Sequence, residues 1–152
     1  MKVIKGDLIE LAKNGEFDVI IHGCNCFCTM GAGIAKSIKK AFPQALKADK
    51  ETSKGCKKKL GSFSSVTLQH NNYEITVVNA YTQYDWRGRG NKADYAAIRQ
   101  VMKNVAGQFS GKRIAYPLIG AGLAGGDWRQ IAEIIDEELN GENHCLVVLP
   151  EN

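Results

Sequence analysis

His22 closes an apolar run, Val19-Ile20-Ile21, and stands three residues before Asn25. An imidazole titrates near pH 6.5, so it can hand a proton to a leaving oxygen or attack phosphorus itself. It is equally at home as a satisfied histidine at a strand end. Asn25 offers an amide to sugar hydroxyls, and the same amide can cap its own turn. Asp127 can activate a water, although a helix cap explains it more cheaply. Two glycine loops surround these three residues. The first runs Asn25-Cys26-Phe27-Cys28-Thr29-Met30-Gly31-Ala32-Gly33 and the second Gly120-Ala121-Gly122-Leu123-Ala124-Gly125-Gly126. Small residues let backbone N–H groups approach a ligand closely. A helix start adds free N–H donors and about half a positive charge. One such loop is explained by a tight strand-to-helix turn, whereas two side by side suit two linked phosphates.

Both loops must therefore follow a strand and open a helix. An apolar core inside residues 17–24 predicts a strand buried on both faces. Ile34, Ile38, Ala41 and Phe42 then fall on one helical face, and Pro43 ends that helix or opens the next turn. Residues 113–118 predict the strand before the second loop, and Ile131, Ile134, Ile135 and Leu139 the inward face of the helix after it. Short strands are predicted at Val3-Ile4 and at 145–149, and one or two helical turns over 8–13. Residues 62–68 and 73–80 form a hairpin about His70-Asn71-Asn72. Residues 47–59 predict surface helix and loop, and Tyr95, Ile98, Met102, Val105 and Phe109 mark a further helix. Strands alternating with helices imply a three-layer α/β/α sandwich whose sheet is mixed but mostly parallel. Ligands of such sheets bind beyond the carboxyl ends of the strands.

The chain has 152 residues, which suits a single domain over 1–152. It is 44% hydrophobic and 24% charged, ordinary values that exclude global disorder. No apolar run approaches the roughly 20 residues of a membrane span, and the first residues lack a secretory apolar region. The five cysteines then read as reduced thiols, and a cytoplasmic monomer without membrane contact is expected. A net charge of +4 suits an anionic ligand without demanding one.

Several signals point elsewhere and are outweighed. The second loop matches Gly-x-Gly-x-x-Gly, but that dinucleotide motif opens a chain's first βαβ unit, and here only one strand follows. His22, Cys24, Cys26 and Cys28 alternate at period two, a spacing that rarely closes a tetrahedral metal site, so no metal is expected. Lys54, Lys57, Lys58 and Lys59 form a basic run without interleaved aromatics, which argues for a solvated face over a nucleic-acid site. The loop from Tyr81 to Arg89 reads first as solvated, with one aromatic packed down. As a lid it would offer Tyr84 or Trp86 to a base and Arg87 or Arg89 to a terminal phosphate.

Gly6-Asp7-Leu8, Val19-Ile20-Ile21-His22-Gly23-Cys24-Asn25, Met30-Gly31-Ala32-Gly33-Ile34-Ala35 and the stretch from Ile119 to Asp127 resemble, in order, the motifs of the macrodomain family. The resemblance covers nearly the whole chain and is nearest to the branch of ADP-ribose-1''-phosphate phosphatases. It implies a single macrodomain that binds ADP-ribose without a cofactor. Asp7 would accept from the adenine amino group, with the Leu8 N–H at the ring. Gly31, Ala32, Gly33 and Ile34 would present N–H groups to the diphosphate, and Gly120, Ala121, Gly122, Leu123, Ala124 and Gly125 would embrace it from the other side. Asn25 would reach the distal ribose, and His22 and Asp127 would assist transfer of the terminal phosphate to water. Three positions depart from the family pattern. Ala124 stands where an aromatic often packs on the distal ribose, and Leu149 where a tyrosine often stacks on adenine. Gln83 stands where the ADP-ribosyl-hydrolase branch carries its lysine. The expected activity is phosphate release from ADP-ribose-1''-phosphate. A non-catalytic reader module and a hydrolase acting on ADP-ribosylated protein are the alternatives.

Overall fold

The computed structural model describes residues 1–150; the last two positions of the domain expected over 1–152 lie outside them. Twelve elements follow the alternation expected from the sequence. Strand β1 is Lys2–Lys5, helix α1 Leu8–Lys13, β2 Val19–Cys24, α2 Gly33–Ala41 and α3 Pro43–Lys50. A single 3-10 turn, Lys57–Lys59, precedes β3 (Phe63–His70) and β4 (Tyr73–Tyr81). Then come α4 (Tyr95–Gln108), β5 (Ile114–Tyr116), α5 (Trp128–Glu138) and β6 (His144–Val148). Pro43 opens α3 at its first turn, where its missing N–H costs nothing. Pro117 follows β5 directly, and the strand is shorter than the apolar run suggests.

The six strands lie in the order β1-β6-β5-β2-β4-β3. Every pair is parallel except the β3–β4 hairpin. Period-two alternation divides the core between the two faces of the sheet. Ile20, Ile75 and Val77 face α1, α2 and α3 through Leu8, Ile38, Phe42 and Ala45. Val19, Ile21 and Val78 face α4 and α5 through Ile98, Val101, Ile131 and Ile135. The result is an α/β/α sandwich with the carboxyl ends of β1, β2, β4, β5 and β6 along one edge. Among the described residues no helix is long and apolar enough to cross a membrane.

The first glycine loop is fastened from below. Cys24, Cys26, Met30 and Tyr81 form a small apolar cluster beneath it. The Cys26 carbonyl accepts from Gly55 N–H at 2.7 Å and from the Lys59 ammonium at 3.1 Å. Tyr81 in turn donates to Asp49 Oδ1 at 2.6 Å. Cys28 takes a left-handed conformation (φ +59°) as the chain turns toward α2.

Candidate functional site

A cleft of about 1120 Å³ runs along the carboxyl edge of the sheet. Its first end lies at β1 and β6. Asp7 caps α1 there, its Oδ1 accepting from Ile9 N–H at 3.0 Å and Glu10 N–H at 3.1 Å. Among the described residues the second carboxylate oxygen has no partner, so helix capping and ligand recognition are compatible in one residue. Leu8 and Leu149 line the same end, Leu149 with 73% of its surface exposed.

The middle of the cleft is built from backbone. Helices α1, α4 and α5 are capped by the side chains of Asp7, Asp94 and Asp127, but α2 follows Ala32 and has no side-chain cap. Its first intrahelical bond is Lys36 N–H to Ala32 O, so the N–H groups of Gly33, Ile34 and Ala35 have no partner within the helix. All three residues line the cleft, beside Gly31 and Ala32. The second loop faces them, and a Cβ on Gly33 would meet Leu123 Cδ1 at 3.2 Å. That loop folds on itself through Gly126 N–H to Gly120 O at 2.7 Å, Ala121 N–H to Leu118 O and Gly125 N–H to Gly122 O. Among the described residues, the N–H groups of Gly122, Leu123 and Ala124 make no bond within the chain. Strands β2 and β5, which deliver the two loops, are hydrogen-bonded neighbours. The two sets of unpartnered donors therefore border the same cleft, with the positive end of the α2 dipole at its wall.

The structure separates the expected substrate-contacting residues. Asp7, Leu8, Asn25, Gly31, Ala32, Gly33, Ile34, Gly120, Gly122, Leu123 and Ala124 all border the cleft. Ala121 and Gly125 do not, and their amides are committed to the loop's internal bonds. Asn25 borders the cleft with its amide already engaged: Oδ1 accepts from Phe27 N–H at 2.8 Å, and Nδ2 donates to Thr29 Oγ1 at 2.8 Å. It shapes its own loop through these bonds.

The structure places His22 away from the cleft. Its side chain is fully buried and takes no part in the cleft wall. It lies on the Ile20 side of β2, under α3, where Nε2 stands 2.6 Å from Asn79 Oδ1. The Asn79 amide donates to Ala45 O and Ser64 Oγ, so its Oδ1 is the acceptor and His22 carries its proton on Nε2. Burial depresses the imidazole to about 4, with the Asn79 bond opposing that fall. The ring is thus neutral and enclosed, away from the cleft lining. Asp127 is likewise structural: its carboxylate accepts from Arg129 N–H at 3.0 Å as the α5 cap, outside the cleft.

The Tyr81–Arg89 loop packs more firmly than a solvated lid. Tyr84 donates to Gly55 O at 2.7 Å, and Phe27 meets Tyr84 and Trp86 edge-on at 5.0 and 5.9 Å. Arg87 forms a two-pronged pair with Asp85 and lies over both Phe27 and Trp86, so it is not free for a terminal phosphate. That pair holds the Asp85 carboxyl well below the usual range, to about 2. Trp86 does line the cleft, on the side of the first loop rather than at the Asp7 end.

Sequence reasoning missed Pro117, Leu118 and Lys92, which also line the cleft. Leu118 is 42% exposed, a signal no apolar pattern distinguishes from a core strand residue. Lys92 comes from a loop with no motif of its own.

A model of the Macro domain family matches residues 21–135. The chain belongs to the macrodomain family. A relative that is 38% identical over 142 residues, an uncharacterised 17.5 kDa protein from the tk-vs intergenic region of Enterobacteria phage T4, is covered at 90% of this chain and 88% of its own. A DNA ADP-ribosyl glycohydrolase of Mycobacterium tuberculosis is 23% identical over 128 residues; the match takes in 84% of this macrodomain but only 35% of that protein. Among solved structures, the macrodomain of Mycobacterium tuberculosis DarG superposes with a TM-score of 0.77 at 20% identity, covering 99% of this chain and 97% of that one. A Bacteroides thetaiotaomicron protein of unknown function superposes at 0.72 with 28% identity, covering 97% and 96%. A Thermosipho africanus DarTG structure in complex with ADP-ribose superposes at 0.76 with 20% identity, covering 97% of this chain and 41% of that one. At such identities these superpositions establish the fold.

Proposed function

We propose that this macrodomain binds ADP-ribose along the cleft and hydrolyses the terminal phosphate of ADP-ribose-1''-phosphate. The observation that carries the reading is the pair of unpartnered backbone N–H sets at the α2 start and the second loop. Together they offer a diphosphate six donors: Gly33, Ile34, Ala35, Gly122, Leu123 and Ala124. Asp7, with one carboxylate oxygen outside its cap, takes the adenine amino group at the β1 end. The distal ribose then points toward β4. There the methyl of Ala124 leaves room for a 1''-substituent that a ring would fill.

In the reaction, the oxygen of a water forms a bond to phosphorus as the bond from phosphorus to the 1'' oxygen breaks. The departing oxygen takes up a proton, and the products are ADP-ribose and inorganic phosphate. The macrodomain contributes by positioning and by fixed dipoles aimed at the phosphates, which together supply most of the rate enhancement in phosphoryl transfer. We assign no step to His22 or Asp127, neither of which lines the cleft.

A second reading is removal of ADP-ribose from a modified macromolecule, protein or DNA. It is favoured by the exposed rim of the cleft, with Leu123 at 75% and Trp86 at 45% exposure, and by the name of the mycobacterial relative. One substrate panel separates the two. Inorganic phosphate released from ADP-ribose-1''-phosphate supports the first, and free ADP-ribose released from an ADP-ribosylated protein or oligonucleotide supports the second. Calorimetry showing no heat with millimolar ADP-ribose overturns both.

A further inference from the structure

Among the described residues, Asp7 is the one carboxylate in the cleft wall and Lys92 the one cation. The sheet order places them far apart. Asp7 follows β1, while Asp94 N–H donates to Thr82 O at 2.8 Å and so ties the Lys92 segment to the end of β4. Four strand spacings separate β1 from β4, about 19 Å at roughly 4.8 Å each. The diphosphate donors on the β2 and β5 loops lie between them. Along this edge an acceptor, an anion site and a cation therefore follow in sequence, the polarity of a nucleoside diphosphate that ends in a further anion.

Lys92 is held rather than free-swinging. Its own N–H donates to Ala124 O at 2.7 Å, which fixes its backbone to the second glycine loop. Among the described residues its ammonium meets only the Gly90 carbonyl, at 3.4 Å. Among the described residues no carboxylate lies within ion-pair distance of it, whereas Arg87 and Arg113 are each paired with an aspartate. Gln83, at the same end of the cleft, has a buried Oε1 with no hydrogen-bond partner among the described residues. A buried acceptor left empty costs free energy unless a ligand or water supplies the hydrogen. Among the described residues Lys92 thus lacks an anionic partner and Gln83 Oε1 any partner, and both residues line the cleft with the small Ala124.

We infer that Lys92 and Gln83 form a terminal-anion subsite specific for a phosphate monoester on the distal ribose. The Lys92 ammonium pairs with the phosphate oxygens, and the Gln83 amide, turned from its buried position toward the cleft, accepts from a hydroxyl of the same ribose. Lys92 then distinguishes phosphorylated from bare ADP-ribose. This rests on the reading that the cleft holds ADP-ribose, and it names the group that sets the preference within it.

The test is calorimetry on the full chain with two ligands, ADP-ribose and its non-hydrolysable 1''-methylenephosphonate analogue. Wild type is expected to bind the phosphonate at least about tenfold tighter, an advantage that shrinks as salt is raised, as for a partly exposed ion pair. Lys92→Gln is expected to erase that advantage at unchanged melting temperature. Lys112→Gln, exposed and away from the cleft, is expected to keep it. Gln83→Leu is expected to weaken both ligands alike. If ADP-ribose binds but wild type shows no preference, or Lys92→Gln retains it, the subsite is wrong while the cleft reading stands. If neither ligand binds wild type, the cleft reading falls and takes the subsite with it.

Discussion

Gly33→Glu separates what the first glycine loop does for folding from what it does for binding. Gly33 sits at φ +60°, and a Cβ there would stand 3.2 Å from Leu123 Cδ1. Leu123 is 75% exposed, so its side chain can yield. The left-handed backbone costs a non-glycine residue about 1–2 kcal/mol. A carboxylate in the first turn of α2 returns roughly 0.3–1 kcal/mol through the helix dipole. The net loss of stability is then about 1 kcal/mol, a small shift in a urea midpoint. Binding responds very differently. The new carboxylate competes with the diphosphate for the donors of Gly33, Ile34 and Ala35 and repels it. At about 4 Å and an effective dielectric near 20, that repulsion is about 4 kcal/mol, a loss of roughly a thousandfold in affinity. Calorimetry with ADP-ribose and urea unfolding on the same sample measure both quantities. Gly33→Ala supplies the steric and conformational part without the charge and is expected to lose far less affinity. ADP-ribose binding within threefold of wild type in Gly33→Glu would refute the placement of the diphosphate at α2.

Other expectations follow from single residues. His22 is held neutral with its folded value lowered to about 4 from 6.5. The unfolded chain binds the extra proton first, so stability rises with pH across this window and its His22 share is lost as pH falls from 6.5 to 4. The share is about 3 kcal/mol; urea unfolding should show wild type losing that much more than His22→Gln between pH 7 and 4, while ADP-ribose affinity at pH 7 is retained. Asp7→Ala should cost about 1 kcal/mol through the lost α1 cap and weaken ADP-ribose about tenfold. It should also abolish discrimination against the hypoxanthine analogue, which lacks the amino donor; continued discrimination would move adenine elsewhere. Gly126→Ala would bring a Cβ within 2.5 Å of Gly120 O and 2.9 Å of Ala93 Cβ. It should destabilise by about 3 kcal/mol and weaken ligand by displacing the second loop, and a melting temperature equal to wild type would show that this close approach is not maintained in solution.

Much of this architecture was legible in one dimension because it rests on local periodicity. The apolar run through Ile20-Ile21, the helical stripe of Ile34, Ile38 and Phe42, and the two glycine loops between strand and helix each announce their element without knowledge of partners. From those alone follow the layer arrangement, the carboxyl edge as the place of the cleft, and two backbone loops that border it. Side-chain roles resisted the same treatment. Period two places His22 on the same face as Ile20, but only the packing of α3 onto that face encloses the ring and gives it Asn79, 57 residues away, as partner. Asn25 and Asp127 carried two local roles each, and the caps won because the nearest unsatisfied donors were their own chain's N–H groups. Lys92 had no motif at all. Its position depends on a bond from its N–H to Ala124, a contact between distant loops that pattern reading does not supply. Sequence by itself determined which segments are strand, helix or phosphate-sized loop. Tertiary structure decided which side chains face the ligand and which are consumed by the fold, because that choice depends on where the remaining hydrogen-bond partners lie in space.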